Sequence, residues 1–399
     1  MINFDSKLNL DENKNNEFKL VLFYETEQFK NIMIESLLFE GVSEPVLIKY
    51  NSDNIAQYAK DYRGFIIMIE MLSSGNILDE VKGIEYKLPP NTPIIIVGTD
   101  SHISLIRNLK NIGYYYLFFP IDKFELVNFI KNVHEKVFKN NTLIENRKAK
   151  KIAILGSKGG VGTSFLASEI SKELSKKRNS TCMLVDHGFF GGNLDIILNV
   201  NDFKRFSLSK GNVTSNLDLN YASTVTTKIN ENLSLLSITS NDLTYYELEE
   251  YVNLISSQFL QNHNFIIDDM FDIYNFNELE SFDVLIFVMD QSISSVREAA
   301  RFFNIIIENN FKIRSYLILN QTKPEKYAEI NIKDIKKYIK KEIDVICPFD
   351  VKVSNLLAAG SDIYSQNSAL GNNLNNLVSL ILGEKAYETS FITRLIKRK

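Results

Sequence analysis

ILGSKGGVGTSFLAS, residues 154–168, decides how the larger part of this chain is read. The apolar run KIAIL leads into it, and Phe165, Leu166, Ile170 and Leu174 follow at the spacing of one helical face. Strand, glycine-rich turn and helix, in that order, make a phosphate-binding loop. Its main-chain N–H groups turn inward and the helix adds the positive end of its dipole. Gly156, Gly159, Gly160 and Gly162 let the backbone take such a turn. Where a loop of this kind carries lysine before its final hydroxyl residue, this chain has Thr163, then Ser164. The stretch predicts a nucleotide site with one charge missing.

Outward from the loop, apolar runs alternate with helical or loop segments. CMLVD (182–186), FIIDD (265–269), DVLIFVMD (283–290) and SYLILN (315–320) follow KIAILG, which predicts an α/β domain over 151–383. Upstream, FKLVLFY, VLIKY, GFIIMIE, PIIIVGTD and YYLFFP mark five further strands, parted by helical stretches such as the one from Glu27. Residues 17–138 therefore form a doubly wound, flavodoxin-like domain, joined by the polar run KNNTLIENRKAK, 139–150, as linker. Residues 1–16 are expected to be a mobile leader and 384–399 a basic amphipathic tail.

The chain has 399 residues, 45% hydrophobic and 24% charged, enough for two domains with cores of their own. A net charge of −4 gives no overall field to recruit nucleic acid, and no specific nucleic acid is expected as a partner. Cys182 and Cys347 stand far apart in apolar, strand-like contexts, the pattern of buried small side chains rather than of a disulfide or metal site. No secretory signal or spanning segment is apparent, so a cytoplasmic protein is expected.

KGGVGTS is similar to the deviant phosphate loop K-G-G-x-G-K-[ST] of the MinD/ParA ATPase family, over about 151–383. The resemblance implies bound ATP and Mg2+, with the loop residues Gly159, Gly160, Val161, Gly162, Thr163 and Ser164 around the phosphates. It implies that Lys158 is the family's lysine that reaches across a nucleotide-sandwich homodimer. The family's second lysine falls at Thr163 and is absent. Ser164 matches the magnesium-linked hydroxyl and Asp268 the magnesium-linked carboxylate, with Asp269 as its substitute. Asp186 matches the aspartate that orients the attacking water. Asn320 matches an adenine-reading Asn, and CPFDVKVSNLLAAG resembles the family's nucleotide-side segment through Pro348, Asp350, Val353 and Gly360. Without the second lysine the resemblance implies binding with weak hydrolysis, because positioned charge does most of the work in phosphoryl transfer.

The first domain resembles a response-regulator receiver. Thr99 and Pro120 match that family, but Glu70 stands at the phosphoacceptor position, Phe119 replaces the lysine, and the acidic pair is not clear. Glu70 is either a standing negative charge or, with more weight, a solvated strand end. A receiver-like domain ahead of a MinD/ParA-like ATPase resembles the TadZ/CpaE localisation proteins of tight-adherence (Flp) pilus machinery. That resemblance implies a factor that marks where the pilus secretion apparatus assembles, with pilus secretion and assembly proteins as partners. Two other readings stand beside it: a ParA-like partitioning ATPase that binds DNA nonspecifically, and an interaction scaffold that binds no nucleotide. In the tail, Tyr387, Phe391, Ile392, Leu395 and Ile396 share a helical face beside Arg394, Lys397, Arg398 and Lys399. That face suits either peripheral membrane contact or an ordinary docked helix.

Overall fold

A computed structural model of the protein describes residues 19–51, 55, 58–62, 64–139, 148–209, 219–270, 276–358, 363 and 368–384. The expected leader, most of the linker, Gly360 and all but Glu384 of the tail lie outside the described residues. The chain divides into two compact units, Met1–Arg147 and Lys148–Lys399. Both are α/β with parallel sheets.

In the first unit, β1 (Leu20–Tyr24), β2 (Val46–Lys49), β3 (Ile66–Glu70), β4 (Ile94–Gly98) and β5 (Tyr115–Phe118) form a five-stranded parallel sheet. The order is β2-β1-β3-β4-β5, that of flavodoxin-like folds. Successive side chains serve opposite faces. Leu20 and Leu22 pack with Phe29, Leu126 and Ile130 on one side, while Val21 and Phe23 pack with Val81 and Leu109 on the other. The order reverses between β1 and β3, so their carboxyl ends bound a crevice.

The second unit has a nine-stranded sheet. Its strands are β6 (Lys150–Gly156), β7 (Cys182–Asp186), β8 (Phe206–Ser207), β9 (Thr226–Asn230), β10 (Leu233–Thr239), β11 (Phe265–Met270), β12 (Val284–Met289), β13 (Arg314–Asn320) and β14 (Val345–Cys347). The order is β14-β13-β12-β6-β11-β7-β10-β8, and β9 pairs antiparallel with β10. β12 is a continuous apolar run buried along its whole length, as suits the middle of a parallel sheet, and β11 is buried throughout as well although it carries Asp268 and Asp269. β12 to β14 build outward from β6 on one side and β11, β7 and β10 on the other. The loop after β6 therefore opens at a topological switch point, where such sheets bind ligands. Cys182 and Cys347 are free and buried. Among the described residues, no helix is long and apolar enough to cross a membrane.

Candidate functional site

The loop Ser157–Gly162 leaves the end of β6 and runs into the helix Thr163–Lys172, whose Leu166 and Ile170 are buried against the sheet. Gly160 and Gly162 have φ of 81° and 98°, a left-handed backbone that L side chains rarely adopt. At Gly162 a Cβ would also run into the Asn320 amide nitrogen. At Gly159 and Gly160 it would meet nothing within 4 Å, so the loop's inner wall is bare backbone facing open space. That space is a cavity of about 430 Å³, walled by Gly159, Gly160, Thr163, Ser164, Asp186, Asp269 and, at its other end, Phe189, Phe190, Tyr245 and Met270. Val161 is buried. Asn320, at the end of β13, donates through Nδ2 to the Val161 carbonyl at 2.8 Å, so this expected base-reading side chain braces the loop itself. Pro348 and Asp350 follow β14, which pairs Cys347 with Asn320, and Asp350 accepts from the Lys352 amide at 2.9 Å to open the helix Val353–Ala358.

The carboxylates are sorted by strand parity. Register pairs Asp269 on β11 with Asp186 on β7, which in turn pairs with Ser237 on β10, so the three share a face. Asp268 faces the other way. Its Oδ1 bonds His187 Nε2 at 2.9 Å, and His187 Nδ1 bonds Glu249 at 3.0 Å from the helix Tyr245–Ser257. Of the two aspartates expected on the magnesium side, Asp268 and its substitute Asp269, the one on the loop's side is Asp269, within hydrogen-bonding reach of the Ser164 hydroxyl. Burial pushes the Asp269 pKa up to about 7, with the Ser164 bond pulling it down and the Asp186 charge adding to the rise. Burial pulls His187 the other way, but the bonds to Asp268 and Glu249 outweigh it and push its pKa up to about 10. His187 is therefore an imidazolium clamped between two carboxylates.

Asp186 lines the cavity but is already committed. Its Oδ2 accepts from Arg205 Nη2 at 2.8 Å and from the Ser237 hydroxyl at 2.9 Å, and its Oδ1 accepts from the Gly188 amide at 2.9 Å. Three of the acceptor sites of this carboxylate are thus taken by protein donors, and Oδ1, with a single donor, keeps a lone pair for the water that Asp186 is expected to orient. Lys158, at the loop's other shoulder, donates to Ser292 Oγ at 2.7 Å and lies 3.2 Å from Asp290 Oδ2.

No family model matches the chain, and no curated protein matches it. Among solved structures it is similar to a ParA family ATPase from Chlorobium tepidum TLS, at 20% identity over 57% of this chain and 98% of that one, with a TM-score of 0.47. It is similar to the MinD cell division protein of Aquifex aeolicus at 23% identity over 59% of this chain and 98% of that one, with a TM-score of 0.46. A putative plasmid partition protein from Borrelia burgdorferi B31, solved bound to AMPPNP, gives 18% identity over 59% of this chain and 99% of that one, with a TM-score of 0.44.

The residues fit a nucleotide's phosphates in part. Bare loop backbone, the Thr163 and Ser164 hydroxyls and the Asp269 carboxylate surround one cavity, so Ser164 and Asp269 are the groups that would hold a magnesium ion. Arg205, His187, Glu249 and Asp290, which pair with Asp186, Asp268, His187 and Lys158 respectively, carry no motif spacing, and only their pairing in the fold reveals them.

The corresponding crevice of the first unit is closed. Glu70, at the end of β3, is fully buried and accepts from the Glu25 amide at 2.7 Å, the Thr26 amide at 3.0 Å and the Thr26 hydroxyl. Thr26 in turn caps the helix Glu27–Phe39. Glu25 spends its own carboxylate on the Ser73 amide and hydroxyl, at 3.1 and 2.9 Å. The reading of Glu70 as a solvated strand end is corrected, since the carboxylate is a structural acceptor holding the turn between β1 and its helix. Thr99 follows β4, and Phe119 is buried beside Phe29, with ring centroids 5.3 Å apart, ahead of a cis Pro120. This geometry does not fit the metal that a receiver would hold between β1 and β3.

Proposed function

We propose that the second unit is a nucleotide-dependent dimerisation device with weak hydrolysis, and that the protein acts as a positioning factor for a Flp-type pilus secretion machine. One observation carries the biochemical part: a cavity of about 430 Å³ joins the loop glycines to Ser164 and Asp269, while Asp186 on its wall is occupied by Arg205, Ser237 and the Gly188 amide. Main-chain amides and hydroxyls bind and orient the phosphates, and Ser164 with Asp269 hold the metal side. Bound magnesium supplies charge neutralisation at the phosphates. Thr163 brings a hydroxyl and no charge, and Asp186 already gives three of its acceptor sites to protein donors. Binding outlasts turnover in such a site. Lys158 is the charge that a second copy receives. The first unit, with Glu70 spent on its own backbone, serves as a docking module and not as a phosphorelay domain. The pilus role rests on the order of the two units and on both altered motifs.

Calorimetry and light scattering on the full chain test this reading. ATP with magnesium should bind and double the mass, and Lys158→Ala should abolish the doubling. Absence of a binding heat would overturn the nucleotide site. Binding without a change of mass would overturn the dimer. Cells lacking the gene should lose surface pili, and normal piliation would remove the pilus assignment.

A further inference from the structure

In the single chain, Lys158 already has a counter-charge. Its ammonium lies 3.2 Å from Asp290 Oδ2 and donates to Ser292 Oγ at 2.7 Å. Asp290 follows β12, and Ser292 is the N-cap of the helix Ile293–Glu308. The other carboxylate oxygen accepts from the Ser292 amide at 3.0 Å and from its hydroxyl at 2.5 Å, so Asp290 cannot swing away with the lysine. Burial raises the Asp290 carboxyl, but the bonds from Ser292 and Lys158 outweigh it and hold its pKa below the usual carboxylate value. The counter-charge is therefore present at neutral pH.

The loop does not depend on this contact. Ser157, one residue earlier, is tied separately to the same helix through Ser295 Oγ at 2.5 Å, and its amide donates to the Val288 carbonyl at 2.9 Å. Ser295 also accepts from the Asp290 amide at 2.9 Å. Lys158 can thus leave Asp290 while Ser157 keeps the loop in place. The lysine side chain is 36% exposed, against 11% for the aspartate, so the mobile partner is the one that solvent already reaches.

We propose that Asp290 is a positioning residue that stores Lys158 against its own subunit and sets how much phosphate charge a second copy must present before the lysine is released. This rests on the reading of Lys158 as the lysine delivered across a dimer. The competition is between one fixed carboxylate and a phosphate chain. A nucleoside triphosphate wins it where a diphosphate, with one phosphoryl group fewer, does not. Asp290 makes assembly answer to the terminal phosphate and not to the nucleotide as such.

The test is light scattering of the full chain across ATP·Mg and ADP·Mg titrations, with acetylation of Lys158 in the nucleotide-free protein read by mass spectrometry. Asp290→Asn should lower the ATP concentration at half-dimerisation by about fivefold, the scale of a partly exposed ion pair, and should permit dimers with ADP. It should also raise the labelling of Lys158 while leaving Lys151 unchanged, a signature that a purely structural role would not produce. Ser292→Ala removes one arm of the store and should move both readouts the same way by less, while Asp290→Glu should restore them. An unchanged or raised ATP requirement in both Asp290→Asn and Ser292→Ala, with Lys158→Ala still unable to dimerise, would overturn the storage role alone. If Lys158→Ala dimerises normally, the reading of Lys158 falls and this proposal with it.

Discussion

Glu70 ends β3 of the first unit and Asp269 nearly ends β11 of the second, each at the carboxyl edge of a parallel sheet beside a reversal of strand order. Both are buried and both have a pKa raised by that burial. Their neighbours differ. Glu70 takes the amides and hydroxyl of the turn after β1, so its lone pairs go to holding a helix start. Asp269 faces a serine hydroxyl and a cavity floored by glycine backbone. A carboxylate at a switch point becomes a ligand group only where the adjacent backbone leaves it unclaimed, and residue type alone does not decide this.

The largest effect expected from breaking this contrast is at the open site's backbone. Gly162→Val places a branched side chain at φ 98° and against Asn320, and should cost ATP·Mg affinity about 100-fold, the equivalent of about 2.7 kcal/mol. Calorimetry retaining near-native affinity would show that the loop does not bind in this conformation. Next is the closed site. Glu70→Ala removes the acceptor for two half-buried amides and should destabilise the first unit by about 1–3 kcal/mol in denaturant melts, with ATP binding unaltered. A variant as stable as the parent would mean that Glu70 is not the structural acceptor described.

The pH response sharpens the comparison further. With Asp269 at about 7, its carboxylate is mostly protonated at pH 6 and mostly ionised at pH 8, so magnesium-dependent nucleotide affinity should rise about tenfold across that interval. Asp269→Asn should flatten the profile, whereas Asp268→Asn should leave its shape intact, and the reverse outcome would return the metal side to Asp268. The smallest effect is expected from Thr163→Lys. Restoring one charge beside a committed Asp186 should raise turnover by only about threefold. An increase of several orders of magnitude would show that the lysine alone had been limiting.

The strands were legible because buried parallel strands in this chain are apolar runs bounded by turn residues. The loop was legible because glycine spacing and a following helical face are local signals. What could not be read was facing. In FIIDDM the surrounding positions are apolar on both sides, so nothing in the run says which of two adjacent aspartates meets Ser164. β10 and the short β8 and β9 lie between stronger signals and do not stand out as strands, and β14 shows only as the strand-like context of Cys347. Arg205 lies 19 residues from Asp186 and Glu249 lies 62 from His187, and the partners of Glu70 lie 44 and 45 residues away. Pairing over such distances follows from the strand order, which is a property of the whole sheet.

The opposite facing of Asp268 and Asp269 separates what substitutions at two neighbouring positions do. The first position is tied to His187, and through it to Glu249, in one layer, and the second to the loop hydroxyl in the other. Replacing Asp269 therefore leaves the His187 contacts intact. Replacing Asp268 leaves His187 with Glu249 as its remaining carboxylate partner and alters the interior without touching the loop.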